Sequence, residues 1–482
     1  MNNKKQLIGF HRIYEAIKTA ILALLVVTLV ILVSVYVSGT RVFENAVADK
    51  EDPGANYDKL WSVIGGTEPE GLDSALLLPE FIGYKQAISE SATGCMGNYA
   101  AATEMYSLVK PCIIELFGNG SVCRRLPENT GSKIFAAAQQ SDEFVYIRYH
   151  EPVLYQLIYA YAAEALTVSE GDLASSAQGN IGAYISDLII VPDNNFAAHR
   201  FIAYAYDDFG TYYEFRPGED VVSSDFYISK LADSTENTVL FEFVSVNGSD
   251  IAMPFAMKQL ECDVIAGEAV TLEEGETRNE LLRFLGYNPD KLDVFEDEEE
   301  GTYVYIDSHS RLKLGNGILS FLASDEIASA GETLRGISIN DMLGYSNEGT
   351  TTLFDKLTAV DNLIGRLYEI APMLMGGEGM LCLGDVYTDG SLLVIEYILT
   401  YNNIRVGAEP YLRAVLTDDT VCELEIGMRA ISASEDTTLA VLPDYVLRGL
   451  IASGRITDDS RVDSVKLCYL DDSARWVIEL KQ

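Results

Sequence analysis

The side chains that most often carry enzyme chemistry are few in this sequence and stand at no catalytic spacing. The chain has 4 histidines among 482 residues. They lie in separate segments, at His11, His150, His199 and His309. No zinc-peptidase, serine-hydrolase or Walker motif is present, so the short sequences that place a metal, a nucleophile or a nucleotide are missing. The sequence therefore predicts a protein that is not an enzyme and that needs no cofactor or metal.

Acidic residues are too common in this chain to mark a site by themselves. Asp and Glu number 73 against 34 Lys and Arg, which gives a formal net charge of −39. A surface of that charge repels nucleic acid and anionic lipid headgroups, so we expect no nucleic-acid partner. The acidic run Glu296–Glu300 suits either a weak calcium site or a solvated loop, and the loop is the simpler interpretation.

The 7 cysteines do not form a metal-binding or redox motif. No Cys-x-x-Cys pair occurs, which argues against a zinc site and against a thioredoxin-type site. Cys112 and Cys123 flank a turn-like Gly-Asn-Gly sequence, so the sequence leaves open whether these two are bridged or free. The other cysteines are expected to be small buried apolar residues.

One uncharged stretch, Thr19–Gly39, is long enough to cross a membrane. As a helix it spans roughly 31 Å, which matches the hydrocarbon core of a bilayer. The basic residues that precede it are Lys4, Lys5, Arg12 and Lys18. The positive-inside rule then predicts a cytoplasmic N-terminus and extracytoplasmic C-terminal domains. The competing interpretation is a cleaved secretion signal, but the nearest cleavage-like triplet, Ala46–Ala48, lies beyond the apolar run, so we predict a retained single-pass helix.

Beyond this helix the chain alternates helical and strand patterns, which predicts an α+β fold with antiparallel sheets. The predicted parts are a cytoplasmic tail (1–18), a transmembrane helix (19–39), a stalk (40–56), an N-terminal α+β domain (57–270), a middle α+β domain (271–353) and a C-terminal α+β domain (354–482). The middle and the C-terminal α+β domains are each expected to begin with a helix, which antiparallel strands follow. The extracytoplasmic region is therefore expected to be multidomain, with helix-plus-strands repeat units.

Local patterns in the first domain predict several elements. A helix is expected over Met105–Phe117 despite Pro111. The segment "DEFVYIRYHEP" is expected to be a strand, with Pro152 in the first turn of a helix that runs to Ala163. "ISDLIIVPD" predicts a strand, and "RFIAYAYDDFGTYYEF" predicts a hairpin that turns at Asp207–Gly210.

Turns and alternation predict the strands of the C-terminal part. Asn402-Asn403 suits a tight hairpin turn. In the strand near residue 424, the apolar residues Cys422, Leu424, Ile426 and Met428 alternate with polar ones, which predicts one buried face and one wet face. A closing hairpin is expected to turn at Asp471–Ser473.

The layout and strand patterns together resemble a known family. An anchor precedes a mixed domain with "LLLPEFIGY" and "FVYIRYHEPVLYQLIYAYAA". Two related units follow, with "LLRFLGYNPDKL" and "LLVIEYILTYNNIRVGAEPYLRAVLTDDTVCELEI", and the chain closes on "SVKLCYLDDSARWVIEL". This order resembles the YycH family of extracytoplasmic accessory proteins of a Gram-positive cell-wall two-component system. The C-terminal unit is also similar to that of the YycI protein and to PepSY-type domains.

The resemblance implies a membrane-anchored regulator that contacts a membrane sensor histidine kinase and a YycI-like protein. The transmembrane helix then takes part in the function through its small and polar residues. Thr19 and Ala23 form a small-xxx-small pair, and Thr28, Ser34 and Tyr36 supply polar groups that a neighbouring helix can bind. The other interpretation of the same residues is a plain anchor whose side chains face lipid.

An alternative function belongs to a different class. The chain would then be a cell-envelope binding module that binds peptidoglycan or peptide, or that inhibits a protease through its PepSY-like units. A sensor kinase, a response regulator and a YycI-like protein encoded beside this chain would favour the regulator.

The predicted topology can be tested with a reporter fused after Gln482. Because charge bias and helix length agree, a reporter active only outside the cytoplasm should be active in this fusion, and the protein should stay in the membrane fraction. The matched control is the same reporter fused after Lys18, which should be inactive. A soluble, shed protein that starts near Ala48 would contradict the retained helix.

Overall fold

The computed structural model describes residues 77–482 apart from 119–120, 163–182, 194–199, residue 208, 219–225, 235–237, 247–250, 273–274, 290–292, 298–300, 307–309, 324–335, 344–352, 390–391, 418–419, 456–461 and 481–482. None of the helices in these ranges is both long enough and apolar enough to cross a bilayer. The predicted transmembrane helix (19–39), the tail and the stalk lie outside the described residues. Pro69–Gln482 belongs to one compact unit, and the predicted domain boundaries within it stay predictions.

The first part of the described chain forms a nine-stranded sheet with the order β3-β7-β6-β5-β4-β1-β2-β8-β9. Its strands are β1 (Phe81–Lys85), β2 (Ala92–Cys95), β3 (Val122–Leu126), β4 (Phe144–Leu154), β5 (Tyr184–Pro192), β6 (Phe201–Tyr206), β7 (Tyr212–Arg216), β8 (Val239–Ser245) and β9 (Ala252–Ala256). Neighbouring strands in this order pair antiparallel. The central strands β4 and β5 are apolar along most of their length because both of their faces are buried.

Helices cover both faces of this sheet. They are α1 (Tyr99–Phe117), α2 (Glu128–Gln139), α3 (Tyr155–Ala162) and α4 (Ile228–Ser234). Helix α1 packs with α3 in the core that contains Ile82 and Ile147. On the other face, Phe135 of α2 packs in a second core with Tyr146 and Ile189. The alternation of Tyr146 and Ile147 between the two cores is the period of two expected for a strand.

The second part forms a twelve-stranded sheet with the main order β11-β12-β13-β14-β20-β19-β17-β18-β22-β23, to which β15 adds on β20 and β16 on β17. Its strands are β11 (Asp293–Asp297), β12 (Thr302–Ile306), β13 (Ser310–Gly315), β14 (Ile318–Ala323), β15 (Ile337–Ser338), β16 (Met380–Asp389), β17 (Leu392–Tyr401), β18 (Ile404–Val406), β19 (Leu412–Leu416), β20 (Thr420–Gly427), β22 (Val462–Leu470) and β23 (Ser473–Leu480). The strands of both predicted helix-plus-strands units therefore join in one sheet, through the β14–β20 pair.

The remaining helices are α5 (Glu276–Phe284), α6 (Ile339–Leu343), α7 (Leu353–Ile370), a 3-10 turn (Pro372–Met375) and α8 (Pro443–Ala452). Helices α5 and α7 pack together, and their residues Leu281 and Leu363 belong to the core that also holds Leu424 and Ile426. A separate two-stranded ribbon pairs β10 (Leu260–Ala269) with β21 (Arg429–Ala440). β10 follows the nine-stranded sheet in the chain and β21 follows strand β20, so the ribbon links the two large sheets.

The mixed α+β fold with antiparallel sheets is confirmed, and most of the predicted local elements are present. Helix α1 continues through Pro111 and begins earlier than predicted. The predicted hairpin pairs Tyr206 with Tyr212. The closing hairpin turns at Asp471 and Asp472, between paired Leu470 and Ser473.

The predicted place of Pro152 is wrong. Strand β4 runs through Pro152 to Leu154, and helix α3 begins only at Tyr155. The register between β4 and β5 shifts between Arg148 and Val153. Proline lacks a backbone N–H, and an irregular stretch of a ladder accommodates it because a regular hydrogen bond is not made there.

Cys422, Leu424, Ile426 and Met428 are all buried as predicted, but Cys422 does not share one face with the other three. The register of β19 and β20 shifts between Val415 and Leu416. Because of this bulge, Cys422 lies in a small separate cluster with Val415, not in the main core with Leu424. None of the 7 cysteines forms a disulfide, so Cys112 and Cys123 are not bridged.

The buried face of β20 can be tested with the substitution Leu424→Asp. Leu424 is fully buried, and an unpaired buried charge costs several kcal/mol against a total stability of about 5–15 kcal/mol. We expect loss of cooperative unfolding in a urea titration followed by circular dichroism. The matched control is Glu425→Gln, at the exposed neighbouring position, which should change the stability by less than about 0.5 kcal/mol. Equal effects of both substitutions would contradict this register.

Candidate functional site at the contact between the two large sheets

The two large sheets meet at the C-terminal half of β4, which packs against β16. In sequence this half is unusual, because Arg148, His150 and Glu151 interrupt an otherwise apolar strand. Arg148 and His150 are buried, at 5% and 4% exposure. Charged and polar side chains are rarely buried unless they are paired. The polar and charged side chains at this end of β4 therefore need hydrogen-bond or ion-pair partners, and several of these partners come from the second sheet.

Asn403 of the second sheet binds both His150 and the chain just before β1. Its Oδ1 lies 3.3 Å from His150 Nε2. Its Nδ2 donates to the carbonyl oxygen of Pro79 at 2.8 Å and, more weakly, to that of Glu80 at 3.4 Å. One buried amide thus joins three segments that are far apart in the chain.

The backbone around Asn403 explains why an asparagine stands there. Asn402 and Asn403 form the turn between β17 and β18, with positive φ angles of 48° and 62°. The flanking residues Tyr401 and Ile404 pair across this turn. Two successive residues with positive φ define a tight hairpin turn that asparagine adopts with little strain. The predicted hairpin turn is therefore confirmed, and it also delivers the Asn403 side chain to the first sheet.

A second link between the sheets is ionic. The guanidinium of Arg405 on β18 binds the carboxylate of Glu151 on β4, and Arg405 Nη2 also donates to the carbonyl oxygen of Ala408 at 2.5 Å. Lys466 on β22 places its Nζ 4.0 Å from Glu151 Oε2. Glu151 is therefore held by cations from two strands of the second sheet.

Inside the first sheet, Arg148 and Asp187 form a buried ion pair. Arg148 Nε lies 3.2 Å from Asp187 Oδ1, and the hydroxyl of Tyr146 donates to the same oxygen. Glu80, at 6% exposure, lies beside this pair. No residue that the structure describes makes a hydrogen bond with Glu80 Oε2.

Burial moves the proton affinities of Glu80 and His150 in opposite directions. Burial raises the pKa of Glu80 to about 7, although Arg148 and Lys466 oppose this shift. Burial lowers the pKa of His150 to about 3, and Arg405 and Lys466 add to this effect. Both shifts favour the neutral side chain, because transfer out of water penalises the charged form.

One further acid, Asp385, lies at the edge of the same contact between the sheets. Asp385 sits where the register of β16 and β17 shifts, between Leu383 and Val386. Burial raises its pKa to about 6, with Glu151 and Glu396 adding to the shift. The hydroxyl of Tyr184 on β5 donates to the carbonyl oxygen of Val386 at 2.9 Å, which is a further hydrogen bond between the sheets.

The arrangement links the sheets, and it contains two buried groups, Glu80 and His150, whose pKa values are shifted. Within the part of the chain that the structure describes, no group of three or more His, Cys, Asp and Glu side chains is placed to hold a metal ion. We call this set of contacts the polar joint; it comprises Pro79, Glu80, Arg148, His150, Glu151, Asp187, Asn403, Arg405 and Lys466.

The sequence-predicted site residues Thr19, Ala23, Thr28, Ser34 and Tyr36 lie outside the described residues, so their role stays a prediction. The polar joint was not predicted. Its one signal in the sequence is the group Arg148, His150 and Glu151 within an apolar strand pattern. A strand with that pattern is expected to be buried, so these side chains need partners in the protein in place of water. Nothing local points from these residues to Asn403.

The contribution of Asn403 can be measured with Asn403→Gly. Glycine keeps the positive φ but removes the amide, which leaves the Pro79 carbonyl and the His150 ring without this partner. We expect a loss of about 1–3 kcal/mol in the free energy of unfolding, the cost of an unsatisfied buried polar group. Urea titration followed by tyrosine and tryptophan fluorescence measures it.

The matched control is Asn402→Gly in the same turn. It removes an exposed hydrogen bond from Asn402 Nδ2 to Asp263 Oδ2 at 3.0 Å and should cost less than about 1 kcal/mol. If the two variants lose the same stability, Asn403 acts only through its backbone.

Comparisons with known proteins give one structural likeness. No protein-family model matches the sequence, and no curated protein matches it. The crystal structure of YycH from Bacillus subtilis is similar, with a TM-score of 0.52 and 13% sequence identity over 84% of this chain and 94% of that chain. At this identity the likeness concerns the fold alone. The chain therefore has a YycH-like fold, as the order of its sequence elements suggested.

Proposed function

We propose that this chain is an extracytoplasmic accessory protein that modulates a membrane sensor histidine kinase of a two-component system. The observation that carries the proposal is the extent of the fold likeness, which covers 94% of the YycH structure and 84% of this chain. A likeness confined to one sheet would support only a shared module, whereas this one extends over both large sheets and the elements between them.

The proposed role is non-enzymatic and works through contacts. The helix at 19–39 anchors the chain, with the N-terminus in the cytoplasm, and meets the kinase within the membrane through Thr28, Ser34 and Tyr36. The outer domains meet the kinase and a YycI-like protein outside. The polar joint supports this role because it fixes the orientation of one sheet to the other, so a contact made by one sheet constrains the other.

The experiment compares transcription from the promoter of the partner response regulator in three strains. One carries the native chain, one lacks it, and one has residues 20–37 replaced by Leu and Ala. The replaced helix still inserts, because Leu and Ala favour the bilayer. It loses polar contacts worth roughly 0.6–2 kcal/mol each, so we expect transcription to change by about ten-fold.

The matched control restores Ala23, Thr28, Ser34 and Tyr36 in the Leu/Ala helix and should recover the native output. Protein level and membrane fraction are checked by blot in every strain. Altered output on deletion with native output from the replaced helix would assign the contact to the outer domains. Native output in the deletion strain would contradict the regulatory role and favour the envelope-binding alternative.

A further inference from the structure

Two buried titratable residues, an acid and a base, contact Asn403 in the polar joint: His150 through its ring and Glu80 through its backbone. Asn403 Oδ1 accepts a hydrogen bond from His150 Nε2–H at 3.3 Å, and Asn403 Nδ2 lies 3.4 Å from the backbone carbonyl oxygen of Glu80. We propose that Glu80 and His150 make the contact between the two large sheets sensitive to protons in two opposed directions. The contact loosens when Glu80 loses its proton, and it also loosens when His150 gains one. This property of the joint does not depend on the proposed function.

The surroundings of Glu80 favour its neutral form. The charged groups that face it are Arg148, Lys466, Asp187 and Glu151. The two cations already bind other carboxylates, Arg148 that of Asp187 and Lys466 that of Glu151. If Glu80 were ionised, three carboxylates would share two cations. The ionised side chain would also be buried, and no described residue makes a hydrogen bond with its Oε2. Opening the contact to water relieves that penalty.

The surroundings of His150 favour its neutral form for a different reason. The charged groups that shift its proton affinity are Arg405 and Lys466, both positive. Glu151 binds both of these cations, so its charge is already shared. A protonated imidazole would add a third positive charge next to them, at a position 4% exposed. Opening the contact again relieves the penalty, now at acidic pH.

The direction of each effect follows from the pKa values. Glu80 has a pKa of about 7 in the fold against an ordinary 4.5, so the closed contact binds more protons than the open one, and opening increases as the pH rises from 4.5 to about 7. His150 has a pKa of about 3 against an ordinary 6.5, so the open contact binds more protons, and opening decreases as the pH rises to 6.5. Between pH 4.5 and 6.5, where both groups change opening in opposite directions, the two effects largely cancel.

Hydrogen exchange of the full chain, read by mass spectrometry, tests this compensation. Exchange of the β4 and β17–β18 peptides is measured between about pH 5.5 and 8 and corrected for the intrinsic pH dependence of amide exchange. The variants are Glu80→Gln and His150→Gln, each of which keeps a neutral side chain of similar size. For the native chain we expect the opening equilibrium to change by less than about three-fold over this range.

The two variants should separate the opposed effects. In Glu80→Gln only His150 titrates, so opening should fall by roughly ten-fold from the acidic to the basic end of the range. In His150→Gln only Glu80 titrates, so opening should rise by roughly thirty-fold. The matched control Glu90→Gln removes a carboxylate from an exposed position and should keep the flat native profile.

Exchange in the β19–β20 pair serves as an internal reference, because neither strand carries a residue of the polar joint. Opposite slopes in the two variants, with unchanged β19–β20 exchange, support the proposal. Slopes of the same sign, flat profiles in both variants, or equal changes in β19–β20 would overturn it. None of these results bears on the kinase reporter, so failure here and failure of the proposed function are distinguishable.

Discussion

The arrangement of the two large sheets depends on Asn403 more than on any other single side chain. Its position demands a positive φ and, at the same time, a buried group that both donates and accepts. Glycine meets the first demand but not the second. Aspartate has no donor for the Pro79 carbonyl, and residues with longer or branched side chains adopt this backbone conformation less readily. Asparagine satisfies both demands, so turn chemistry and sheet contact are fixed by the same residue.

The polar joint contributes more to specificity than to stability. Buried ion pairs such as Arg148–Asp187 recover little more than the cost of removing the charges from water. An apolar contact of similar area would tolerate sliding, because dispersion does not depend on direction. Arg405 and Glu151 bind only in one register. The joint thus selects one orientation of the sheets.

Local sequence patterns predicted the turns and strands that are determined by residues close together in the chain. The Asn402-Asn403 turn and the closing hairpin follow from turn chemistry and alternation, and the structure contains both. Pro152 and Cys422 were misplaced because the irregularities there depend on a partner strand, β5 in one case and β19 in the other. The polar joint was missed for the same physical reason. His150 and Asn403 are 253 positions apart, and no periodicity within one segment specifies a contact at that distance.

The ribbon of β10 and β21 has a consequence for the order in which the chain folds. β10 follows the first sheet directly, but its partner is Arg429–Ala440, near the other end of the chain. During synthesis from the N-terminus, the first sheet can be complete while β10 still exposes unpaired backbone groups. The parallel pair of β18 with β22 can form only later still, after β22 has been synthesised. The nascent chain therefore carries open strand edges until its last segments emerge, and protection from premature pairing with other chains is needed during that interval.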